Sequence, residues 1–283
     1  MAKNLLHKQV EVMFSGLNNN SATKTLPEPG TLKENLSRLV GNDKSGSKAI
    51  QKSTLSQFAT ASVEMWHRSV HSFLVSASLT KASPLWSSVA VYYSSHYSIR
   101  AFAHLLGYFQ LYRKGCIIRL EINGSQYICH ILKKGSNDRE HKFYWKIVKR
   151  NSFFASNPFF TLNDEFQAQS DSGHRNKANY FDHIDGFPQF QILDETYLKQ
   201  RIGTIAGMEV NDAPIPIVDS YPDINNVQLI AYHRLVIFRN FIDTILRDSN
   251  RFWKVHRRPN WCSDYIDFQV VQPRYTTIYS DFR

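Results

Sequence analysis

The sequence contains few cysteines and few glycines, and each shortage excludes a class of protein. Three cysteines, Cys116, Cys129 and Cys262, provide neither a disulfide framework nor the spacing of a zinc knuckle. The 12 glycines are scattered, and neither GxGxxG nor the P-loop pattern is present to cradle a phosphate. The GxSxG elbow, the kinase signatures and HExxH are also missing. We therefore expect no cofactor and no bound metal.

Long apolar runs are absent as well. No stretch approaches the ~20 residues that a membrane-spanning helix needs. The N-terminal segment has too short an apolar part for a secretory signal. Cysteines without a disulfide pattern suit a reducing compartment. These features predict a cytoplasmic protein that makes no use of the membrane.

The charge of the chain is strongly unbalanced. Its 34 Lys and Arg residues exceed its 24 Asp and Glu residues, which gives a net charge of +10. Such an excess favours anionic partners, with nucleic acid ahead of membrane surfaces, although a merely soluble basic protein is the alternative. With 42% hydrophobic residues and 13% aromatic residues, the chain has ample material for a folded core.

The stretch Leu85–Phe109 predicts a long helix that begins at Ser83-Pro84, because proline suits the first helical turn. Its apolar residues recur at steps of three and four, the period of a helix with one buried face. A second, polar stripe runs along the same helix, since its members stand four residues apart. The members of this stripe are His96, Arg100 and His104. The alternative interpretation is a core helix with one solvent-exposed side, which would show the same pattern.

Two more long helices are predicted, one from Ser53 to Leu79 and one from about Asn225 to Asp248. At 100° per residue, several polar residues of the last helix fall within an arc of about 60°. These residues are His233, Asn240, Thr244, Arg247 and Arg251. The polar stripes of the two helices could face each other and make one site, or both could face water.

Between these helices the period changes from 3.6 to 2. The segment Gly115–Leu132 predicts a β-hairpin with Asn123-Gly124 at its tip, and a two-residue turn there pairs Ile118 with Cys129. One face of this hairpin is apolar, with Cys116 and Cys129 as core thiols. The other face carries Arg119, Glu121, Gln126 and His130.

A third strand is predicted at Phe143–Arg150, where Lys146, Lys149 and Arg150 alternate with aromatic residues. This strand offers either a patch for single-stranded nucleic acid or lysines that protect a sheet edge.

We predict an α+β fold in which a helical bundle is interrupted by a small antiparallel sheet. The expected divisions are a flexible N-terminal arm at 1–52, the first half of the bundle at 53–111, a β-insertion with a long loop at 112–190, the second half of the bundle at 191–257 and a tail at 258–283. The arm is rich in Asn, Ser, Gly and Pro, which bury little surface, although a short helix is expected at Thr31–Val40.

The stretch Leu85–Phe109 resembles the second helix of HEPN-domain proteins. The resemblance rests on Tyr92-Tyr93, a small pair, an aromatic residue at Tyr97, Arg100-Ala101 and an apolar turn that ends at Gly107. It implies a helical bundle that forms a homodimer and cleaves RNA without a metal ion. It also implies a setting in toxin–antitoxin pairs or antiphage defence, with an antitoxin or defence-system protein as partner.

HEPN ribonucleases carry an Arg followed by a His after four to six residues, often with Asn directly after the Arg. Arg239-Asn240 stands where the family places this motif, but no His follows at the required spacing, whereas Arg251 and His256 meet it. Arg would stabilise the scissile phosphate and His would transfer the proton.

The resemblance therefore implies Arg251, His256, Arg239 and Asn240 as catalytic residues. His96, Arg100, His104, His233 and Arg247 are the predicted contacts to the RNA phosphate backbone. The function implied is a metal-independent endoribonuclease. A catalytically inactive HEPN-like module that binds RNA or protein is one alternative, and an unrelated helical binding protein is another.

Overall fold

The computed structural model describes residues 2–18, 31–79, 83–135, 140–151, 154 and 224–246. These residues form helices and a four-stranded antiparallel sheet, so the predicted α+β class is confirmed. The helices are α1 Ala2–Asn18, α2 Thr31–Val40, α3 Lys52–Leu79, α4 Pro84–Leu105, α5 Glu140–Arg150 and α6 Ile224–Ile245. The strands are β1 Gly46–Ala49, β2 Tyr108–Leu111, β3 Cys116–Asn123 and β4 Gln126–Lys133. The predicted loop and tail lie outside the described residues.

The chain divides into two compact units. The first comprises Met1–Met65, Ile99–Ser156 and Ile242–His256, and the second comprises Trp66–Ser98, Asn157–Phe241 and Arg257–Arg283. The predicted divisions follow the sequence in order, whereas each unit draws on separate parts of the chain.

Helices α3 and α4 lie where the period of the apolar residues predicted them. At the start of α4 the Ser83 hydroxyl accepts a hydrogen bond from the Trp86 amide at 3.4 Å. The helix ends at Leu105, before the predicted Phe109, because Gly107 adopts a positive φ of 79° and Tyr108 already belongs to β2.

Serine hydroxyls join α3 to α4 at seven-residue intervals. In each pair a buried serine donates its O–H to a backbone carbonyl of the other helix, which satisfies the hydroxyl donor. The pairs are Ser62 with Ala101 at 2.7 Å, Ser69 with Ser94 at 2.6 Å, and Ser87 with Ser76 at 2.8 Å. As the residue number rises along α3, the number of the partner residue on α4 falls, which shows that the two helices run antiparallel.

Aromatic packing joins α3 to α6 within the second unit. Trp66 is fully buried, stacks on Phe238 with ring centroids 6.1 Å apart, and donates its indole N–H to the Leu235 carbonyl at 3.0 Å. Phe73 meets Tyr232 at 5.6 Å. These contacts explain why the predicted last helix forms, since its apolar flank has a matching surface.

The described part of the N-terminal segment packs into the first unit, so the prediction of a flexible arm is wrong there. Val10, Met13 and Phe14 of α1 are fully buried, and Gln9 donates to the Leu105 carbonyl at 2.8 Å. Their spacing is that of an amphipathic helix. The prediction gave too much weight to the polar residues that follow. The expected helix Thr31–Val40 is confirmed.

The sheet has the strand order β1-β4-β3-β2, and its register differs from the prediction. Ile118 pairs with Ile131, not with Cys129, because the turn consists of Gly124 and Ser125. Gly124 has φ 59° and therefore takes the first turn position, where the prediction had placed an asparagine. A shift by two residues leaves every side chain on its predicted face.

The sheet is not the self-contained insertion that was predicted. Strand β1 comes from the N-terminal segment and pairs with β4, while β2 follows α4 directly. Cys116 and Cys129 are buried free thiols, as predicted, and burial raises the pKa of Cys129 to about 12.

The predicted third strand, Phe143–Arg150, is wrong, because residues 140–150 form helix α5. Phe143, Tyr144 and Val148 are buried at helical spacing. A short run of mixed apolar residues is ambiguous between helix and strand, and its packing decides the outcome.

Candidate nucleic-acid interface

The predicted site residue His104 lies in the core of the first unit. Its Nδ1 donates to the Tyr108 carbonyl at 2.9 Å, and its ring stacks on Phe109 with centroids 5.0 Å apart. Burial, followed by the nearby Arg100 charge, lowers the pKa of His104 to about 3. This imidazole is therefore neutral near pH 7 and is buried among core side chains.

We expect His104 to make the protein less stable in mild acid. The unfolded chain protonates this imidazole near its ordinary pKa of 6.5, whereas the folded state resists protonation down to about 3. Stability attributable to His104 is therefore lost as the pH falls from 6.5 towards 3, by about 2 kcal/mol at pH 5. Urea unfolding from pH 4 to 7 measures this slope. His104→Gln, which stays neutral, should flatten it, and an unchanged slope would contradict the assignment.

The other two residues of the α4 stripe occupy different surroundings. His96 is buried in the second unit and stacks on Tyr92, with ring centroids 6.3 Å apart. Arg100 belongs to the first unit, is partly exposed, and holds its guanidinium carbon 5.2 Å from the centre of the Tyr144 ring. The stripe is therefore not one continuous polar surface.

The remaining predicted site residues lie on α6 or beyond it. Arg239 and Asn240 are half-buried on α6, and His233 lies on the same helix. Arg247, Arg251 and His256 lie outside the described residues.

The predicted basic and aromatic patch at 143–150 is divided between core and surface. Tyr144 and Trp145 are buried, so their rings are not presented to a nucleic acid. Lys146 and Arg150 are exposed, while partial burial lowers the pKa of Lys149. This segment offers cations to solvent but no aromatic platform.

A different part of the first unit combines exposed cations with an exposed aromatic ring. Tyr112, Arg113 and Lys114 form a short 3₁₀ turn before β3, while Lys133 is the last residue of β4 and Lys134 follows it. We call these five residues the cationic patch. The Tyr112 side chain is 66% exposed, and the Lys134 ammonium lies 4.3 Å from the centre of its ring.

Strand pairing places the two halves of the cationic patch side by side. Cys116 pairs with Lys133, and the Lys134 amide donates to the Gly115 carbonyl at 3.1 Å. Lys114 is positioned by a hydrogen bond to the Gly41 carbonyl at 2.8 Å. Four cations with no carboxylate among them suit a phosphate backbone, and an exposed tyrosine ring suits a stacked base.

The cationic patch was not predicted from the sequence, although the pattern that indicates it is present there. Basic residues stand immediately before and after the predicted hairpin, and antiparallel pairing brings the two ends of a hairpin together. Segment 143–150 showed the more conspicuous pattern, because its basic and aromatic residues are neighbours in the sequence.

Another polar cluster lies on the solvent face of the sheet, where Arg119, Glu121 and His130 were predicted to share one face. Nε2 of His130 lies 2.8 Å from a Glu121 carboxylate oxygen, and the Arg119 guanidinium lies 3.7 Å from the same oxygen. Ser47 on β1 completes the cluster, with its hydroxyl 2.8 Å from Nδ1 of His130. All four side chains belong to the first unit.

No protein-family model, curated protein or solved structure matches this chain. Among the described helices, none is both long and apolar enough to cross a bilayer. In the same part of the chain, no group of three or more His, Cys, Asp or Glu side chains is placed to hold a metal ion.

Proposed function

We propose that this protein binds RNA and acts as a HEPN-like, metal-independent endoribonuclease. The observation that supports RNA binding is the cationic patch, in which Lys134 lies over the exposed ring of Tyr112. Arg113, Lys114 and Lys133 provide further positive charge around this ring. The net charge of +10 adds a long-range attraction for a polyanion.

RNA affinity should fall steeply with salt, because phosphate contacts release condensed counterions. The double variant Lys133→Ala/Lys134→Ala should weaken binding to a labelled RNA. It should also make the salt dependence shallower, by about one unit of logarithmic slope for each phosphate that the variant no longer neutralises. Fluorescence anisotropy across a salt series measures both quantities.

Lys33→Ala is the control for that experiment, since Lys33 is an exposed lysine on α2 outside the cationic patch. Its affinity and salt slope should match those of the wild type. A flat salt response, or equal losses in the double variant and the control, would contradict RNA binding at the patch.

For cleavage, we assign the chemistry to Arg251 and His256. Arg251 would stabilise the charge of the scissile phosphate, and His256 would transfer a proton to or from a ribose or leaving oxygen. Arg239, Asn240 and Arg247 would assist in holding the phosphate. The burial of His96 and His104 supports this choice, because neither imidazole is placed to reach an RNA strand.

His256→Ala should reduce RNA cleavage by about 10²–10⁴-fold, the usual contribution of a general acid or base, while RNA affinity stays unchanged. Arg251→Lys should also fail to cleave RNA, because lysine keeps the positive charge but cannot make the bidentate hydrogen bonds of a guanidinium group. EDTA should have no effect. A cleavage assay on labelled RNA gives all three results, and full activity in His256→Ala would refute the assignment.

The second candidate function is a catalytically inactive HEPN-like binding module. It is favoured by the position of the cationic patch, which lies at the start of β3 and the end of β4 and uses no residue of the Arg–His pair. Purified protein that binds RNA with the predicted salt dependence but never cleaves it would establish this alternative.

For either function we propose that the protein is a cytoplasmic homodimer with an antitoxin or defence-system protein as partner. Light scattering would test the homodimer, and co-purification would test the partner.

A further inference from the structure

Three side chains from three strands form a continuous hydrogen-bonded chain on the solvent face of the sheet. The Ser47 hydroxyl lies 2.8 Å from Nδ1 of His130, and Nε2 of His130 lies 2.8 Å from Oε2 of Glu121. A carboxylate only accepts hydrogen bonds, so Nε2 carries the proton and donates a hydrogen bond to Glu121. Nδ1 therefore presents its lone pair to Ser47, whose O–H donates. This is the hydrogen-bonding order of a Ser–His–acid triad.

The pairing of the strands explains why these residues meet. The Ile50 amide donates to the Tyr127 carbonyl at 2.9 Å, and the hydrogen bonds of an antiparallel ladder alternate along each strand. Ser47 and His130 are therefore a non-hydrogen-bonded pair, the kind in which opposite side chains come closest. Glu121 reaches His130 along the diagonal of the β3–β4 pair.

The same alternation directs the backbone N–H of Ser47 away from β4. Because β1 is an edge strand among the described residues, this N–H faces the open side of the sheet. An ester carbonyl that approaches Ser47 from this edge would therefore meet an N–H donor for the developing oxyanion.

The Ser47 side chain itself is reachable from solvent. Ser47 is exposed, and the side chains of His130 and Glu121 are 22% and 46% exposed. The Arg119 guanidinium, 3.7 Å from Oε2 of Glu121, helps to fix that carboxylate in place. These four groups contrast with His67, His96 and His104, which are buried.

We propose that Ser47 is the nucleophile of an esterase activity, with His130 as general base and Glu121 as its positioning residue. Oγ of Ser47 attacks the ester carbonyl carbon while its proton passes to Nδ1 of His130. The tetrahedral intermediate collapses by breaking the bond to the alcohol oxygen, which takes that proton from Nδ1, and an acyl-Ser47 remains.

Water completes the cycle. His130 removes a proton from the attacking water and returns it to Oγ of Ser47, releasing a carboxylic acid. Glu121 stabilises the imidazolium that forms in each half of the cycle. Since the site lies on a sheet face, it suits small, unhindered acyl esters such as aryl acetates.

A fluorophosphonate probe tests the proposal on the full chain, because it phosphonylates activated serines much faster than ordinary ones. We expect peptide mapping to find the label on Ser47, and Ser47→Ala to abolish it. Ser125, an exposed serine of the β3–β4 turn, is the control within the chain and should remain unlabelled. With 4-nitrophenyl acetate, His130→Ala and Glu121→Gln should lower the acylation rate by about 10²-fold or more.

Each variant is first compared with the wild type by circular dichroism and thermal unfolding. If His130→Ala fails to fold, His130→Gln replaces it, since glutamine can bridge the same neighbours but cannot act as a base. Absence of label on Ser47, equal labelling of Ser125, or acylation that survives both His130 and Glu121 variants would overturn the proposal. RNA affinity measured on the same samples should be unchanged in Ser47→Ala.

Discussion

Trp66→Ala is expected to lower the free energy of unfolding by about 3–5 kcal/mol, the usual cost of removing a buried tryptophan. Trp66 is 0% exposed and stacks on Phe238, so its loss leaves a cavity between α3 and α6. The substitution also removes the indole N–H that donates a hydrogen bond to the Leu235 carbonyl. Guanidinium unfolding, followed by circular dichroism, measures the change.

Two further variants separate the causes of that loss. Trp66→Phe keeps most of the ring but removes the N–H, so it should cost clearly less than Trp66→Ala. Trp86→Ala is the matched control, because Trp86 lies on α4 with 56% of its surface exposed. We expect Trp86→Ala to stay within about 0.5 kcal/mol of the wild type. Equal losses at Trp66 and Trp86 would disprove the packing described for α3 and α6.

Gly107→Ala should destabilise the first unit by about 2–4 kcal/mol, through two separate effects. Gly107 has φ 79°, a conformation that alanine adopts only with strain. An added Cβ would also lie 2.7 Å from Cβ of Leu120. This contact has little freedom to relax, because the Leu120 amide donates to the Gly107 carbonyl at 2.8 Å.

Gly115→Ala provides the matched control for Gly107→Ala. Gly115 has a similar φ of 64°, but no described atom lies within 4 Å of where its Cβ would be. This substitution should therefore cost about 1 kcal/mol, from backbone strain alone. Denaturant unfolding of both variants measures the difference, which is the steric part. Equal losses would mean that the turn after α4 moves away from β3 without cost.

Local patterns in the sequence were sufficient for the long helices and for the faces of the hairpin. Apolar residues at steps of three and four predicted α3, α4 and α6, because burial of one face stabilises a helix of that length. Strict alternation assigned Arg119, Glu121 and His130 to one face of the sheet, and that assignment is correct.

Local patterns failed where packing had to choose between alternatives. Segment 140–150 forms a helix because its apolar residues are buried in the core when they stand at helical spacing. The serines that join α3 to α4 stand at a regular seven-residue spacing, yet their polarity concealed a buried contact. The polar residues after α1 likewise concealed an amphipathic helix.

By itself, the sequence determined the fold class, the strong positive charge and the periods of the long helices. Tertiary structure alone decided which polar residues are chemically available. His104 and His130 are the same residue type, but burial holds the pKa of His104 at about 3 while His130 faces solvent on the sheet. Ser47 and His130 are 83 positions apart, and only the pairing of β1 with β4 brings them within 2.8 Å. Burial and long-range strand pairing depend on the whole fold, so no local pattern could have predicted them.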